Sequence, residues 1–272
     1  QTGQELINQK PDKIFFTGSV ATGKKIMQEA SKHLIPVELE LGGKDPMIVF
    51  DDANLDRASS GAVWGSYTNT GQSCTSVERL YIHDNIYDEF KKLFLEKMNN
   101  IKQAGGVAKD CDIGLLTTEM QRDKLKGQLA EAKKKGAEIH GYDNWNGEDM
   151  KMPPMLLEDV TPEMEIFYEE SFGPVVCLYK FFDESEVIRF ANNSKYGLSA
   201  SVWSADKELC ERVALSLETG NVSINNVMLT EGNHHLPFGG VKESGFGRYK
   251  GVYGLHSFSN IKALLFDGNS GN

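Results

Sequence analysis

The sequence is poor in cysteine and proline and contains no long apolar run. Four of its 272 residues are cysteine and eight are proline. The cysteines show no CxxC spacing, which argues against a zinc site, and they are too few for a disulfide framework. We therefore expect a chain of a reducing compartment, the cytoplasm, without a bound metal. No apolar run approaches the ~18 residues of a membrane-spanning helix, so we expect no membrane span.

Basic residues are also in short supply. The sequence has 29 lysines and arginines against 39 aspartates and glutamates, which gives a net charge of −10. This balance argues against a general nucleic-acid surface, which needs a basic field. Hydrophobic residues at 40% and charged residues at 25% are ordinary for a globular protein and exclude a disordered chain. Glycine, with 27 residues, is in excess and predicts tight turns and close approaches of the backbone.

Strands and helices are predicted to alternate along the whole sequence. Residues 13–16 predict a strand, residues 21–33 a helix that Pro36 ends, and residues 37–41 a second strand. Two strands joined by a helix form a βαβ unit, whose strands lie parallel. Because the alternation continues to residue 224, we expect an α/β fold with a mostly parallel, twisted sheet and flanking helices. Loops are expected at the polar residues 142–150 and at the glycine-rich residues 242–254.

Cys74 has the surroundings of a reactive thiol. It follows the end of a predicted helix and precedes a strand, and the small polar residues of positions 69–73 come before it. Cys177, by contrast, lies among apolar residues, as a core cysteine does. Nearby backbone N–H groups can stabilise a thiolate and later an oxyanion. Cys74 is therefore a candidate nucleophile, and an ordinary unreactive cysteine is the alternative.

Glu40 is a candidate general base. Leu39 and Leu41 flank it at the end of a predicted strand, so burial would raise the pKa of its carboxyl group toward the range of a base. Glu38 has the same pattern and competes for the role, and an exposed strand residue is the alternative for either. The glycine pair at 42–43 allows another backbone or a ligand to come close.

Residues 18–25 (GSVATGKK) lie where a phosphate-binding loop would lie, after a strand and at the start of a helix. They nearly match the pattern GxxxxGK[ST], but Lys25 stands where Ser or Thr would ligate Mg²⁺. A nucleotide hydrolase is therefore the weaker interpretation, and a helix N-terminus that meets the phosphate of another ligand is favoured. The dinucleotide-binding pattern GxGxxG is absent.

Six short motifs follow one another along the chain, and together they resemble the signature segments of the aldehyde dehydrogenase superfamily. The spacing of 34 residues from Glu40 to Cys74 is also that of the family. The resemblance extends from about residue 11 to residue 265. The motifs are FTGS at 16–19, ELGGK at 40–44, GQSC at 71–74, ESFGP at 170–174, PFGG at 237–240 and SGFGR at 244–248.

The resemblance implies a reaction and a role for each matching residue. An aldehyde would be oxidised to a carboxylic acid, with NAD or NADP as cofactor. Cys74 would form a thiohemiacetal and then a thioester, its backbone N–H would be one oxyanion donor, and Glu40 would activate the hydrolytic water. Phe238 would line the mouth of the substrate site. The residues implied in cofactor binding are Thr17, Gly18, Ser19, Leu41, Gly42, Glu170 and Phe172, with Gly18 and Ser19 at the pyrophosphate, Glu170 at the nicotinamide ribose and Phe172 near its ring.

Members of the family are usually much longer, and this chain resembles their C-terminal portion. The resemblance implies a partial, Rossmann-like cofactor-binding segment at 1–43, a catalytic domain at 44–255 and a tail at 256–272. A homo-oligomer is expected, through residues 222–224 or 260–266. Because half of the dinucleotide crevice and one oxyanion donor would be missing, we expect the isolated chain to bind cofactor weakly and to self-associate.

Two other interpretations stay open at this point. The chain could be a catalytically silent fragment or interaction module that keeps the fold and the motifs. It could also be a relative in which coenzyme A, instead of water, accepts the acyl group. Glu40 argues against the second, because a water-activating base would be superfluous there.

Overall fold

The computed structural model describes residues 2–105 and 110–268, in which helices flank a parallel-rich sheet. The expected α/β class is confirmed. The helices are α1 (Thr2–Asn8), α2 (Val20–Ser31), α3 (Leu55–Tyr67), α4 (Tyr87–Asn99), α5 (Glu119–Lys134), α6 (Glu165–Tyr168), α7 (Glu184–Asn192), α8 (Lys207–Ser216), α9 (Leu229–Gly232) and α10 (Gly251–Ser257). The strands are β1 (Ile14–Thr17), β2 (Val37–Glu40), β3 (Asp45–Val49), β4 (Val77–His83), β5 (Glu138–His140), β6 (Met155–Glu158), β7 (Val175–Phe181), β8 (Tyr196–Gly197), β9 (Ser199–Trp203), β10 (Asn221–Ile224), β11 (Val241–Lys242) and β12 (Gly245–Phe246).

The large sheet has the strand order β10-β9-β3-β4-β7-β6-β5, and every neighbouring pair is parallel except β5 with β6. Every residue of β3 is buried, because helices cover both faces of the sheet. Met47 faces the core that α3 and α4 cover, and Ile48 faces the core that α7 and α8 cover. This two-sided burial explains why residues 47–50 read as one continuous apolar run.

A second, three-stranded sheet has the order β1-β2-β12. Strands β1 and β2 are parallel and are joined by α2, which confirms the predicted βαβ unit. Strand β12 comes from the far end of the chain and pairs antiparallel with β2, so that Gly245 lies opposite Glu40. The last part of the chain therefore lies directly beside the strand that carries the candidate base.

The expectation of a loop at residues 242–254 is wrong. This stretch includes the end of β11, all of β12 and the start of α10. Gly245 has φ +100°, and a Cβ there would meet the Leu39 carbonyl oxygen at 2.0 Å. Gly245 therefore allows β12 to pair closely with β2. A glycine-rich composition alone does not distinguish such a strand from a loop. The predicted loop at 142–150 holds only a short helical turn, although it buries Trp145.

None of the helices in the two described ranges has both the length and the apolar character needed to cross a membrane.

Candidate active site

Glu40 lies at the carboxyl end of β2, between β1 and β12. The backbone after it is fixed by Ser244, whose Oγ donates to the Gly42 carbonyl oxygen at 2.7 Å and accepts from the Gly197 N–H at 2.9 Å. The Leu41 N–H also donates to the Ser244 carbonyl oxygen, at 3.1 Å. The segment around Ser244 therefore fixes the turn that follows the candidate base.

An ion pair distinguishes Glu38 from Glu40, since both glutamates are buried. The Glu38 carboxylate is ion-paired with Lys13 at 2.9 Å, which leaves no base available. Glu40 is only 3% exposed, and its Oε1 has no hydrogen-bond partner in the described residues. Burial raises the pKa of Glu40, and contacts with the Cys74 thiol and the Thr17 hydroxyl oppose the rise. A carboxylate with a raised pKa and a free lone pair is suited to accept a proton.

The backbone before Cys74 makes a left-handed turn. Asn69, Thr70 and Gly71 have φ values of 51°, 60° and 66°, and Thr70 is buried and β-branched, for which this conformation is costly. A Cβ on Gly71 would meet the Gly173 carbonyl oxygen at 2.0 Å. The turn therefore packs the cysteine segment against residues 170–174, although about a hundred residues of chain separate the two segments.

Cys74 lies close to the turn after Glu40. A Cβ on Gly43 would meet the Cys74 carbonyl oxygen at 2.3 Å, so only glycine fits there. Burial, the negative charge of Glu40 and a hydrogen bond to that carboxylate raise the pKa of the Cys74 thiol well above its ordinary value. The thiol is therefore protonated in this state, with a proton acceptor beside it. The Cys74 N–H has no acceptor in the described residues.

Glu170 and Phe172 are held by a buried ion pair. Lys44 Nζ lies 2.6 Å from Glu78 Oε2, and these side chains are 1% and 2% exposed. The Glu78 carboxylate also accepts from the N–H groups of Ser171 and Phe172, at 2.8 to 2.9 Å. Glu170 Oε1 accepts from the Gly43 N–H at 3.1 Å, and burial raises the pKa of Glu170 to about 7.

One cavity of about 950 Å³ joins these parts. Glu40 is not part of its lining, but it contacts Cys74, which is. Phe238 does not line this cavity: it is buried and packs against Tyr249, with ring centroids 5.6 Å apart. The other sequence-predicted site residues that line it are Cys74, Thr17, Gly18, Ser19, Leu41, Gly42, Glu170 and Phe172.

The resemblance to a nucleotide-hydrolase loop does not extend to its lysine. Lys24 stands at the position of the loop lysine, but its Nζ lies 2.6 Å from Glu243, away from the cavity. Ser19 instead caps α2, and its Oγ accepts from the Thr22 N–H at 3.3 Å. The start of α2 therefore presents a helix N-terminus at the cavity wall without a cationic side chain.

Sequence reasoning missed Glu231. This residue lies in α9 and lines the same cavity as Cys74, and its Oε2 accepts from the Thr75 hydroxyl at 2.5 Å. No local pattern indicates this position, because a glutamate between Thr230 and Gly232 is ordinary for an exposed turn. Lys44 and Glu78 had a weak signal, since each is a charge beside apolar strand residues.

Sequence reasoning also missed a group of possible metal ligands remote from the cavity. Among the described residues, Glu138, His140 and Glu158 place ligand atoms within 4.8 Å of one another. His140 Nε2 lies 2.7 Å from Glu158 Oε2, and Lys91 already neutralises Glu158 at 3.1 Å. The pairing of β5 with β6, which brings these residues together, was not predicted.

Comparison with known proteins gives matches over almost the whole chain. A sequence model described as the aldehyde dehydrogenase family matches residues 1–264. A 4,4'-diapolycopene aldehyde oxidase of Methylomonas is 45% identical over 259 residues, which are 95% of this chain and 48% of that protein. The chain spans about half the length of the curated relatives it matches.

Solved structures give the same result. The betaine aldehyde dehydrogenase of Staphylococcus aureus in complex with NAD+ has a TM-score of 0.84 and 34% identity, over 91% of this chain and 50% of that one. An NADP-dependent enzyme of E. coli has a TM-score of 0.91 and 37% identity, over 96% and 54%. With a family match of this extent, and with residues of four of the six motifs lining one cavity, the chain belongs to the aldehyde dehydrogenase family.

Proposed function

We propose that the protein containing this chain oxidises an aldehyde to a carboxylic acid, with NAD or NADP as the hydride acceptor. The observation that carries the proposal is the contact of a protonated thiol, Cys74, with a buried carboxylate of raised pKa, Glu40, beside one cavity. Membership of the family supports it. NAD+ in one similar structure and NADP dependence in another support the pair of cofactors, between which the described residues do not choose.

In this proposal Glu40 first takes the thiol proton, and the Cys74 sulfur then attacks the aldehyde carbon. The carbonyl oxygen becomes an oxyanion, to which the Cys74 N–H can donate. When the oxyanion reforms a C=O bond, the carbon loses its hydrogen as hydride and a thioester remains on Cys74. After Glu40 has released its proton to solvent, it takes one from water, which attacks the thioester and expels the thiolate.

The residues around the cavity fit a nicotinamide dinucleotide. When bound, this cofactor would accept the hydride that leaves the carbon attached to Cys74. Gly18 and Ser19 offer the N-terminus of α2 to a phosphate, and Gly18 has no Cβ that would hinder its approach. Glu170 offers carboxylate oxygens for ribose hydroxyl groups, and Phe172 offers an apolar ring. Thr17, Leu41 and Gly42 complete this part of the wall.

The test separates acylation from hydrolysis. In a stopped-flow assay of the full-length protein, Glu40→Gln should slow the burst of about one reduced cofactor per site, because no base takes the Cys74 proton, and should leave little turnover after it, because the thioester cannot be hydrolysed. Cys74→Ala should give neither. Cys111→Ser, which changes a cysteine outside the cavity, should keep both phases. Steady turnover by Cys74→Ala would refute the proposal, and acyl-coenzyme A as the product would favour the acylating alternative.

Phe238 contributes indirectly in this proposal. Tyr249 packs against it and lies near the reacting groups, since the charges of Glu40 and Cys74 both raise the pKa of the Tyr249 hydroxyl, after burial as the larger cause. We therefore assign Phe238 the role of supporting Tyr249 at the substrate side. The division into a cofactor segment at 1–43, a catalytic domain at 44–255 and a tail at 256–272 is part of the same proposal.

We also propose a homo-oligomer and a cytoplasmic location. Strand β10 is an edge of the large sheet, and its Ile224 is 44% exposed. In the tail, Ile261 and Leu265 are at least 95% exposed, and such apolar surface favours association. A polypeptide limited to these 272 residues should therefore self-associate in light scattering and bind NAD+ weakly in calorimetry. A monodisperse monomer with tight NAD+ binding would contradict both expectations.

A further inference from the structure

We propose that Glu231 selects aldehydes that carry a positive charge, such as an ammonium group, at the substrate end of the cavity. This inference rests on the proposed function and names the substrate class of that site. Glu231 lines the cavity together with Cys74 and Met228, and its carboxylate is fixed by the hydroxyl of Thr75, the residue next to the nucleophile.

The Glu231 carboxylate has no ion-pair partner within 4.0 Å in the described part of the chain. The ammonium group of Lys250 donates to the backbone carbonyl oxygen of Glu231, not to its carboxylate. The cavity wall includes a second carboxylate, Glu170, and one basic residue, Lys124, whose ammonium group donates to the Glu170 carbonyl oxygen. The substrate end therefore carries a carboxylate without a direct ion-pair partner in the described residues, and the nearby charge of Lys250 instead lowers the pKa of Glu40.

The negative charge of Glu231 disfavours formation of the Cys74 thiolate when the bound substrate is uncharged. The Glu231 carboxylate is among the causes that raise the pKa of the Cys74 thiol, and this makes the nucleophile harder to form. Burial and the Glu40 carboxylate are the larger causes of this raised pKa. A cationic group bound beside Glu231 would cancel the Glu231 contribution as it enters, so that a positively charged aldehyde would both bind to the carboxylate and lower the pKa of the Cys74 thiol. A neutral aldehyde would gain neither advantage.

The charge near Cys74 can be measured without turnover. Thiosulfonate reagents of similar size modify Cys74 at rates that depend on reagent charge: the trimethylammonium-ethyl reagent is a cation and the sulfonatoethyl reagent an anion. Because both react with the same thiolate, the ratio of their rates does not depend on the thiolate fraction. We expect Glu231→Gln to lower the cation-to-anion ratio at Cys74 about tenfold, while Glu231→Asp keeps most of it.

Glu211→Gln is the matched control, because it changes the net charge equally from an exposed site on α8. It should leave the ratio at Cys74 unchanged, and Cys74→Ala, with mass analysis of the peptides, assigns the reaction to this residue. An equal ratio in the parent and in Glu231→Gln would overturn the proposal.

The substrate class is tested with an isosteric pair of aldehydes, trimethylammonio-acetaldehyde and 3,3-dimethylbutanal, on the full-length protein. The parent should prefer the cation in kcat/KM, and Glu231→Gln should lower that preference about tenfold. An equal effect of the substitution on both aldehydes would overturn the selective role. If the parent oxidises other aldehydes but neither of these two, the substrate class fails and the proposed function stands. If the parent oxidises no aldehyde, the proposed function fails, whereas a lowered thiosulfonate ratio would still locate a cation subsite at Glu231.

Discussion

The buried pair of Lys44 and Glu78 should contribute more to stability than any exposed ion pair of this chain. Replacing Lys44 with Met keeps most of the length of the side chain and removes its charge, which leaves the Glu78 carboxylate with only the N–H groups of Ser171 and Phe172. Removing one partner of a buried ion pair costs about 3–5 kcal/mol, because the other charge stays buried without compensation. We expect Lys44→Met to lower the free energy of unfolding by this amount.

The assay is urea unfolding followed by circular dichroism, with Lys24→Met as the matched control. Lys24 forms an ion pair of the same length, 2.6 Å, with Glu243, but the side chains are 63% and 35% exposed. Solvent screens such a pair, so its loss should cost less than about 1 kcal/mol. Equal losses for Lys44→Met and Lys24→Met would refute the reasoning.

A double variant separates the pair from its surroundings. Lys44→Met with Glu78→Gln removes both charges, so its cost should fall below the sum of the two single costs by about 2–3 kcal/mol. Because Glu78 holds the backbone of Ser171 and Phe172, the single variants should also weaken cofactor binding, through displacement of the neighbouring Glu170. Additive costs in the cycle would show that the two charges do not interact.

Three further predictions concern the backbone and the carboxylates of the site. Gly71→Ala should lower the free energy of unfolding in urea by more than about 2 kcal/mol, since the new Cβ would lie 2.0 Å from the Gly173 carbonyl oxygen and φ is +66°. The control Gly127→Ala, on an open face of α5, should instead stabilise the chain slightly. Glu170 has a pKa of about 7 in the folded chain, which is above its unfolded value, so the folded state binds its proton more tightly. The free energy of unfolding should therefore fall as pH rises from about 4.5 to 7. Glu170→Gln should flatten this decrease, and an unchanged slope would contradict the burial argument. Ser244→Ala should lower the free energy of unfolding by about 1–3 kcal/mol, because the Gly42 carbonyl oxygen loses its buried donor. The same variant should also lower turnover. Full activity with normal stability would exclude a positioning role for Ser244.

The sequence by itself determined the class of fold, and it indicated one candidate nucleophile, Cys74, and two candidate bases, Glu38 and Glu40. Alternation of apolar strands with amphipathic helices depends on residues only a few positions apart, so the strands at 14–17 and 37–40 and the helix between them were predictable. The polar setting of Cys74 and the apolar neighbours of Glu40 are equally local. The distinction between Cys74 and the buried Cys177 followed from the same information.

The tertiary structure decided which residues meet. Strand β12 lies beside β2 although about 200 residues separate Gly245 from Glu40, and no periodicity within residues 242–254 indicates that partner. The pairing of Lys44 with Glu78, the choice of Glu40 over Glu38 and the position of Glu231 beside Cys74 also depend on packing between distant segments. A local pattern indicates which secondary structure each segment can form. The energy of a buried charge, however, depends on which groups from the rest of the chain pack beside it.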